Sequence, residues 1–529
     1  MTQSFEGKRW DEIVAVHAAQ FPDRPALAYQ DHVLDYAGFL AEVNACAEQL
    51  VRLGLGRGDR IALMSPARPE AMITFMAAAR VGAVWLGLNP RYTPREISYV
   101  LGSAKPRLVI SIESYEGRPY GDELTAALQA PGLEHCALVR FDAGRPDAEA
   151  LQQALRDALP HTAAGTPPPA TVEDDVCMLV YTSGTSGKPK GVLLRQRDLI
   201  FRSAMQSRTF SVSDYPRSIN FAPINHIGGM HFRGLSHIIA AGTLVYQDRY
   251  RTSEIQHLMT KHRINVLMLG STMLQMLLEE PGFDRETLRQ AEWFIFSGAA
   301  MPMPLLRDLQ QRCPRIGATY GLTESCGSVC YTLTPDSLEM MASSIGRPQP
   351  NGEARVAGPQ GEALPPGQEG ELQVRGEHCM AAYLDNEAAT RAAFTPDGWL
   401  KTGDLAQMHD DGSIKLAGRM SEMYKSGGYN VYPREVELVL EEHPDVAMAA
   451  VIAVDDMRYQ QVGHAFVIAK GGHEIDEAAL DQWCRDRLAN YKRPKRLFVR
   501  QSLPMLSIGK VDKNLLRTAA SNPANTATA

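Results

Sequence analysis

Apolar residues recur at helical spacing over residues 10–19 and again over 36–53, and Gly54-Leu-Gly-Arg-Gly58 then closes the second run before a short apolar strand at 60–64. A helix at 70–80, a strand at 83–88, a helix at 94–102 and a strand at 108–111 continue the pattern. Such alternation predicts an α/β fold with a mostly parallel sheet flanked by helices. Residues 71–88 form the most membrane-like window, but Arg80 interrupts it and Gly82 divides helix from strand, so it is expected to be core rather than a span. Further strands are predicted at 176–181, 293–296 and 370–376. Near the end, helices at 433–442 and 477–488 surround strands at 448–454 and 463–469.

At 529 residues the chain exceeds what one hydrophobic core serves, so at least two domains are expected. With 44% hydrophobic and 22% charged residues it has the composition of a globular protein. The 61 acidic against 54 basic side chains leave a net charge of −7, which argues against a nucleic-acid partner. Eight cysteines are scattered, and the close pair Cys326 and Cys330 has no second pair to complete a zinc site, so buried thiols in a reducing compartment are expected. Residues 1–6 show no secretory pattern and 527–529 are not a peroxisomal address, which together predict a cytoplasmic protein without an integral membrane segment.

Candidate chemistry begins at Tyr181-Thr-Ser-Gly-Thr-Ser-Gly-Lys-Pro-Lys-Gly-Val192, directly after the apolar run. Gly184, Gly187 and Gly191 free the backbone to turn N–H groups toward an anion, Thr182, Ser183, Thr185 and Ser186 add hydroxyl donors, and Lys188 and Lys190 add charge. This is a phosphate grip but not a Walker A loop. Gly184 and Gly187 stand too close, and Pro189 follows Lys188 where that motif opens a helix with Ser or Thr.

The loop closely resembles the signature of the adenylate-forming superfamily, which includes acyl-CoA synthetases, firefly-type luciferases and peptide-synthetase adenylation domains. Further matches follow in the family's order: Phe221-Ala-Pro-Ile-Asn-His-Ile-Gly-Gly229, Trp293-Phe-Ile-Phe-Ser-Gly-Ala-Ala300, Ala318-Thr-Tyr-Gly-Leu-Thr-Glu324, Trp399-Leu-Lys-Thr-Gly-Asp-Leu405, 416–437 and Leu503-Pro-Met-Leu-Ser-Ile-Gly-Lys510. The resemblance covers about residues 10 to 517. It implies a large N-terminal domain of parallel-rich sheets layered with helices (1–419), a small mobile α+β C-terminal domain (420–518) and a disordered tail (519–529).

It also implies roles. Thr182, Ser183, Gly184, Thr185, Ser186, Gly187, Lys188 and Lys190 would hold the phosphates of ATP. Gly298, Ala299 and Ala300 would form the adenine turn, completed by Ala318, Thr319, Tyr320 and Gly321. Thr323 would offer a hydroxyl to phosphate, Glu324 an oxygen ligand to Mg²⁺, and Asp404 with Arg419 would hold the ribose. His226 would line the acyl pocket near the reacting carboxylate, and Lys510 would be the late catalytic lysine, so Lys510, Glu324, His226 and Thr182 are the expected catalytic set. Lys425, Gly427 and Gly428 would face coenzyme A.

The resemblance predicts an ATP-dependent, AMP-forming carboxylic acid:CoA ligase. Ile227 stands where peptide-synthetase domains place an aspartate near the α-ammonium, so an amino-acid substrate is not expected. Small residues at Gly228, Gly229, Gly327 and Ser328 predict a roomy apolar pocket for a fatty or aryl acid. Two other readings remain open: an enzyme that loads an acyl carrier protein, and a non-catalytic nucleotide-binding relative. A homodimer is equally open. The chain departs from the family at Ser421, where the hinge commonly carries Asp or Lys, and at Tyr459-Gln-Gln461, which replaces a frequent Trp-Gly-Glu.

Overall fold

The computed structural model describes residues 5–142, 148–158, 172–182, 189–298, 301–349, 352–426, 429–471, 473–506 and 511–520. The N-terminal helices form where the apolar period predicts them, at Trp10–Gln20 and Tyr36–Arg52, and the second starts on the Asp35 carboxylate, which accepts from the Gly38 N–H at 2.7 Å. In the helix Pro69–Val81 every residue except Arg80 is buried. That all-round burial explains the membrane-like hydropathy of this window, and among the described residues no helix is long and apolar enough to cross a membrane. Gly82 ends the helix at φ +77°, a left-handed cap that glycine adopts without a Cβ clash, and the strand Val84–Leu88 follows.

This strand lies inside a seven-stranded sheet ordered Ala382–Tyr383, Lys190–Arg195, Val176–Thr182, Val84–Leu88, Arg60–Met64, Leu108–Ile112 and Ala137–Phe141. From Val176–Thr182 to Ala137–Phe141 the pairs are parallel, as the alternation predicts. The far edge, formed by Lys190–Arg195 and Ala382–Tyr383, is antiparallel. A second sheet runs Val266–Met268, Trp293–Ser297, Ile316–Leu322, Gly327–Leu333 and Arg347–Pro348, with its first three strands parallel. A third places Thr243–Tyr246 between Arg217–Asn220 and Pro25–Tyr29, and a fourth is an antiparallel meander of Glu353–Ala357, Glu369–Arg375, Leu400–Met408 and Ile414–Arg419.

The C-terminal unit is small and α+β. Val446–Asp456 and Gln460–Ala469 form a long antiparallel pair, to which Arg496–Arg500 adds in parallel. Its apolar clusters, around Val436, Leu440, Val451, Leu480, Ile452 and Phe466, draw only on residues from Tyr424 onward. The chain therefore consists of a large N-terminal and a small C-terminal domain. The final helix, Lys513–Ala520, carries ordered structure two residues past the expected start of the tail, and residues 521–529 lie outside the described ones.

Candidate active site

The apolar strand Val176–Thr182 pairs with Lys190–Arg195 so that Thr182 stands opposite Lys190, and the two close the neck of the loop between them. Ser183, Gly184, Thr185, Ser186, Gly187 and Lys188 lie outside the described residues. The returning side of the neck is anchored by the Tyr99 hydroxyl, which donates to the Pro189 carbonyl at 2.7 Å.

Ala318, Thr319 and Tyr320 occupy the strand Ile316–Leu322, where Thr319 pairs with Ser297 just before Gly298; Ala299 and Ala300 are outside the described residues. Gly321 has no alternative here, because a Cβ would stand 2.1 Å from the Gly327 carbonyl oxygen. That close approach folds 321–327 into a tight turn, braced by Ser325 Oγ, which donates to the Gly327 carbonyl at 2.7 Å. Thr323 is buried in this turn and Glu324 is half-buried at its tip.

Asp404 and Arg419 are register partners on neighbouring strands, so Gly403-Asp404 is part of a strand and not a turn. Arg419 Nε reaches Asp404 Oδ1 at 2.7 Å, and the Tyr320 hydroxyl donates to Asp404 Oδ2. Burial, and then the Asp404 charge, raise the Tyr320 phenol well above its ordinary pKa, so it remains a donor. Arg419 is 42% exposed, so this ion pair orients the carboxylate more than it stabilises the fold. Residues 84 positions apart in sequence are thereby joined into one acceptor site with an adjacent ring face.

Tyr383 was not foreseen. Its hydroxyl donates to Glu324 Oε1 at 2.9 Å, while Lys190 Nζ lies 5.0 Å from the centre of its ring. Burial, and then Glu324, raise the Tyr383 pKa, which keeps the donor protonated. No lysine, arginine or histidine among the described residues pairs with Glu324, so its carboxylate fits a divalent cation. Replacing Tyr383 by Phe removes a hydrogen bond to a charged group; with Glu324 holding Mg²⁺ as the resemblance implies, about a 10-fold higher Mg²⁺ requirement for adenylation is expected, with little loss of fold stability. A magnesium titration of pyrophosphate release checks this, and an unchanged half-saturation would remove Tyr383 from the site.

His226 follows the strand Arg217–Asn220 after a short loop, and its Nδ1 accepts from the Gly228 N–H at 3.0 Å. A π-helix then spans Gly228–Leu235, a form concentrated at functional sites that the Gly228-Gly229 pair did not announce. These glycines do not themselves supply the room expected of them, because protein atoms already lie where their Cβ atoms would stand. A Cβ would meet the His226 ring at 2.9 Å from Gly228, the Pro223 carbonyl at 2.3 Å from Gly229 and the His231 ring at 2.5 Å from Gly327. The glycines permit close packing of loop on helix, not an enlarged cavity.

On the small domain Lys425 is exposed, with its backbone N–H donating to Gln461 Oε1 at 3.4 Å, so the Tyr459-Gln-Gln461 departure bears directly on this face. Gly427, Gly428 and Lys510 lie outside the described residues. Beside Lys425, Ser426, Tyr429, Tyr459, Asn490, Tyr491 and Lys495 line a cavity of about 240 Å³, in which Tyr429 and Tyr491 stack at 4.5 Å. Aromatic residues flanking Lys425 and the sequence Tyr491-Lys-Arg493 were the available signal for it.

Comparison with known proteins agrees with this geometry. The model of the AMP-binding enzyme family matches residues 14–384, and that of the AMP-binding enzyme C-terminal domain matches 435–510. Indoleacetate–CoA ligase of Aromatoleum aromaticum is 30% identical over 96% of this chain and 97% of its own length. Sulfoacetate–CoA ligase of Cupriavidus necator is 32% identical over 95% and 96%. The crystal structure of ATP-bound MatB from Rhodopseudomonas palustris superposes with a TM-score of 0.84 at 27% identity, covering 97% of this chain and 99% of that one. With both family models in register and a hydroxyl, carboxylate and guanidinium gathered at Tyr320, Asp404 and Arg419, the chain belongs to the AMP-binding enzyme family of the adenylate-forming superfamily.

Proposed function

We propose that this protein is an AMP-forming acid–thiol ligase that activates a fatty or aryl carboxylic acid with ATP and passes the acyl group to coenzyme A. The observation that carries the reading is the Tyr320–Asp404–Arg419 cluster standing on the same large domain as the Thr182–Lys190 neck and the Glu324 carboxylate. The Asp404 carboxylate, oriented by Arg419 and Tyr320, is an acceptor-only group of the kind that takes hydrogen bonds from ribose hydroxyls. Glu324 would hold Mg²⁺, which when bound neutralises charge on the phosphates.

In the first half-reaction a substrate carboxylate oxygen bonds to the α-phosphorus of ATP, and the bond from that phosphorus to the bridging oxygen breaks with pyrophosphate leaving. Thr182, Lys190 and the loop between them orient the departing group, and Lys510 stabilises charge on the α-phosphate. His226 borders the acid. In the second, the thiolate sulfur bonds to the acyl carbon and AMP leaves with the electron pair of the carbon–oxygen bond. We place the domain boundary at 419/420, so that a rotation there exchanges Lys510 for the Lys425–Gly428 face. The cavity with the Tyr429–Tyr491 stack lies beside that face and suits the nucleotide end of coenzyme A. All eight cysteines are free thiols, which supports a reducing, cytoplasmic setting.

An aromatic acid among the relatives' named substrates and the apolar neighbours Ile227 and Phe232 support a fatty or aryl skeleton. Pyrophosphate release over a panel of aliphatic and aromatic acids, with coenzyme A or a carrier protein as acceptor, tests the reading. Acid-dependent release with thioester formed on coenzyme A is expected. Transfer only to the carrier protein would favour the carrier-loading alternative, and no release with any acid would favour a non-catalytic relative.

A further inference from the structure

We propose that Arg233 receives a second acidic group at the far end of the substrate acid, so that this ligase prefers diacids to the corresponding monoacids. The inference rests on the ligase reading above and names the substrate class it leaves open. Arg233 projects from the last turn of the π-helix Gly228–Leu235 and is only 9% exposed. Its one side-chain hydrogen bond among the described residues runs from Nη1 to the Met268 carbonyl at 2.8 Å, and no aspartate or glutamate there pairs with it. Its guanidinium carbon stands 4.7 Å from the centre of the Phe221 ring, which itself packs on Tyr250 at 4.8 Å.

A buried guanidinium has five N–H donors and stays charged even though burial lowers its pKa to about 10. One carbonyl and a ring face leave most of that capacity unused, and buried charges are ordinarily paired. A planar fork of this kind matches a carboxylate or sulfonate bidentately.

The place in the fold fits a ligand as well. Met268 is the last residue of the strand Val266–Met268, Phe221 directly follows Arg217–Asn220, and Tyr250 follows Thr243–Tyr246 by one short loop. Two strands from neighbouring sheets thus end against Arg233, with Tyr250 behind Phe221, at the carboxyl ends where α/β sheets bind ligands. The neighbouring parallel strand on the same edge is Trp293–Ser297, which leads into Gly298 at the expected adenine turn. His226 lies seven residues earlier, at the entry to the helical run, where its carbonyl accepts from the Met230 N–H at 3.2 Å, so at about 1.5 Å rise per residue the two residues stand roughly 10 Å apart along the run. An acid whose reacting carboxylate lies by His226 can therefore extend its other end toward Arg233.

The test measures kcat and KM of pyrophosphate release for α,ω-dicarboxylates and for monocarboxylates of matching length, in the full-length wild type, Arg233→Met and Arg233→Lys. The wild type should favour a diacid of suitable length by on the order of 10²-fold in kcat/KM. Arg233→Met should erase that preference through KM while leaving monoacid turnover in place, and Arg233→Lys should recover part of it. A wild type indifferent to the second acid group would overturn the proposal. So would an Arg233→Met enzyme that loses both acid classes equally while Arg233→Lys keeps the wild-type selectivity, since the guanidinium would then serve only packing. Release with monoacids alone would leave the ligase reading standing and reject this one, whereas no release with any acid would reject both.

Discussion

Lys510→Ala is expected to lower acyl-adenylate formation by on the order of 10²-fold or more, while attack of coenzyme A on supplied acyl-AMP stays near the wild-type rate. The magnitude is that of removing one preorganised electrostatic donor from a developing charge. The asymmetry comes from the fold. Lys510 is flanked by Met505 and Val511, which form an isolated antiparallel bridge, and the helix that follows is tied down by Lys513, whose Nζ lies 2.6 Å from Glu422 and 2.8 Å from Glu437. Both flanks belong to the small domain, so the rotation proposed above would carry Lys510 with it. Single-turnover rates of the two half-reactions, measured separately, check this, and equal losses in both would remove Lys510 from its assigned step.

Ser421→Pro is expected to divide the two half-reactions in another way. Ser421 is exposed in the middle of a short 3₁₀ turn, Met420–Glu422, immediately after Arg419 of the ribose cluster. Proline fixes φ near roughly −65°, which a 3₁₀ turn already uses, and an amide in the first turn has no helical partner to lose. The substitution should therefore be accepted in the 3₁₀ turn and resist any rotation that needs a different φ, and the orientation it holds is expected to be the adenylating one. Acyl-AMP and pyrophosphate should still form in one turnover, while thioester formation and steady-state turnover should fall by about 10-fold or more. Rapid-quench sampling of both products decides it, and thioester formation at the wild-type rate would place the pivot elsewhere.

Local order was legible wherever burial is one-sided or total. The helices Trp10–Gln20, Tyr36–Arg52 and Pro94–Ala104 and the strands Arg60–Met64 and Val84–Leu88 fall within about two residues of their predicted bounds, because period and glycine punctuation act over short range. Long-range pairing left no such trace. Nothing local places Thr243–Tyr246 between Arg217–Asn220 and Pro25–Tyr29, since a central strand of a parallel sheet is simply an apolar run.

The site divides along the same line. Asp404 and Arg419 were named from motifs, but their being cross-strand partners, with Tyr320 donating to the same carboxylate, is a product of the folded sheets. Tyr383 escaped notice because its partner Glu324 is 59 residues away, and an isolated tyrosine in a loop-edge strand carries no signature. Arg233 escaped for the opposite reason: in sequence it reads as one more surface charge, and only its burial with no acidic partner among the described residues sets it apart. The glycines misled, because sequence shows that a side chain is missing without showing what occupies the space.

In the proposed reaction an acid displaces pyrophosphate from the α-phosphate of ATP before any thiol is present. The most direct measurement is acid-dependent exchange of labelled pyrophosphate into ATP without coenzyme A, followed by nucleotide analysis when coenzyme A is added. Exchange should require both the acid and Mg²⁺, and AMP should form in step with thioester after the addition. Formation of ADP and phosphate, or exchange that proceeds equally without an acid, would contradict it.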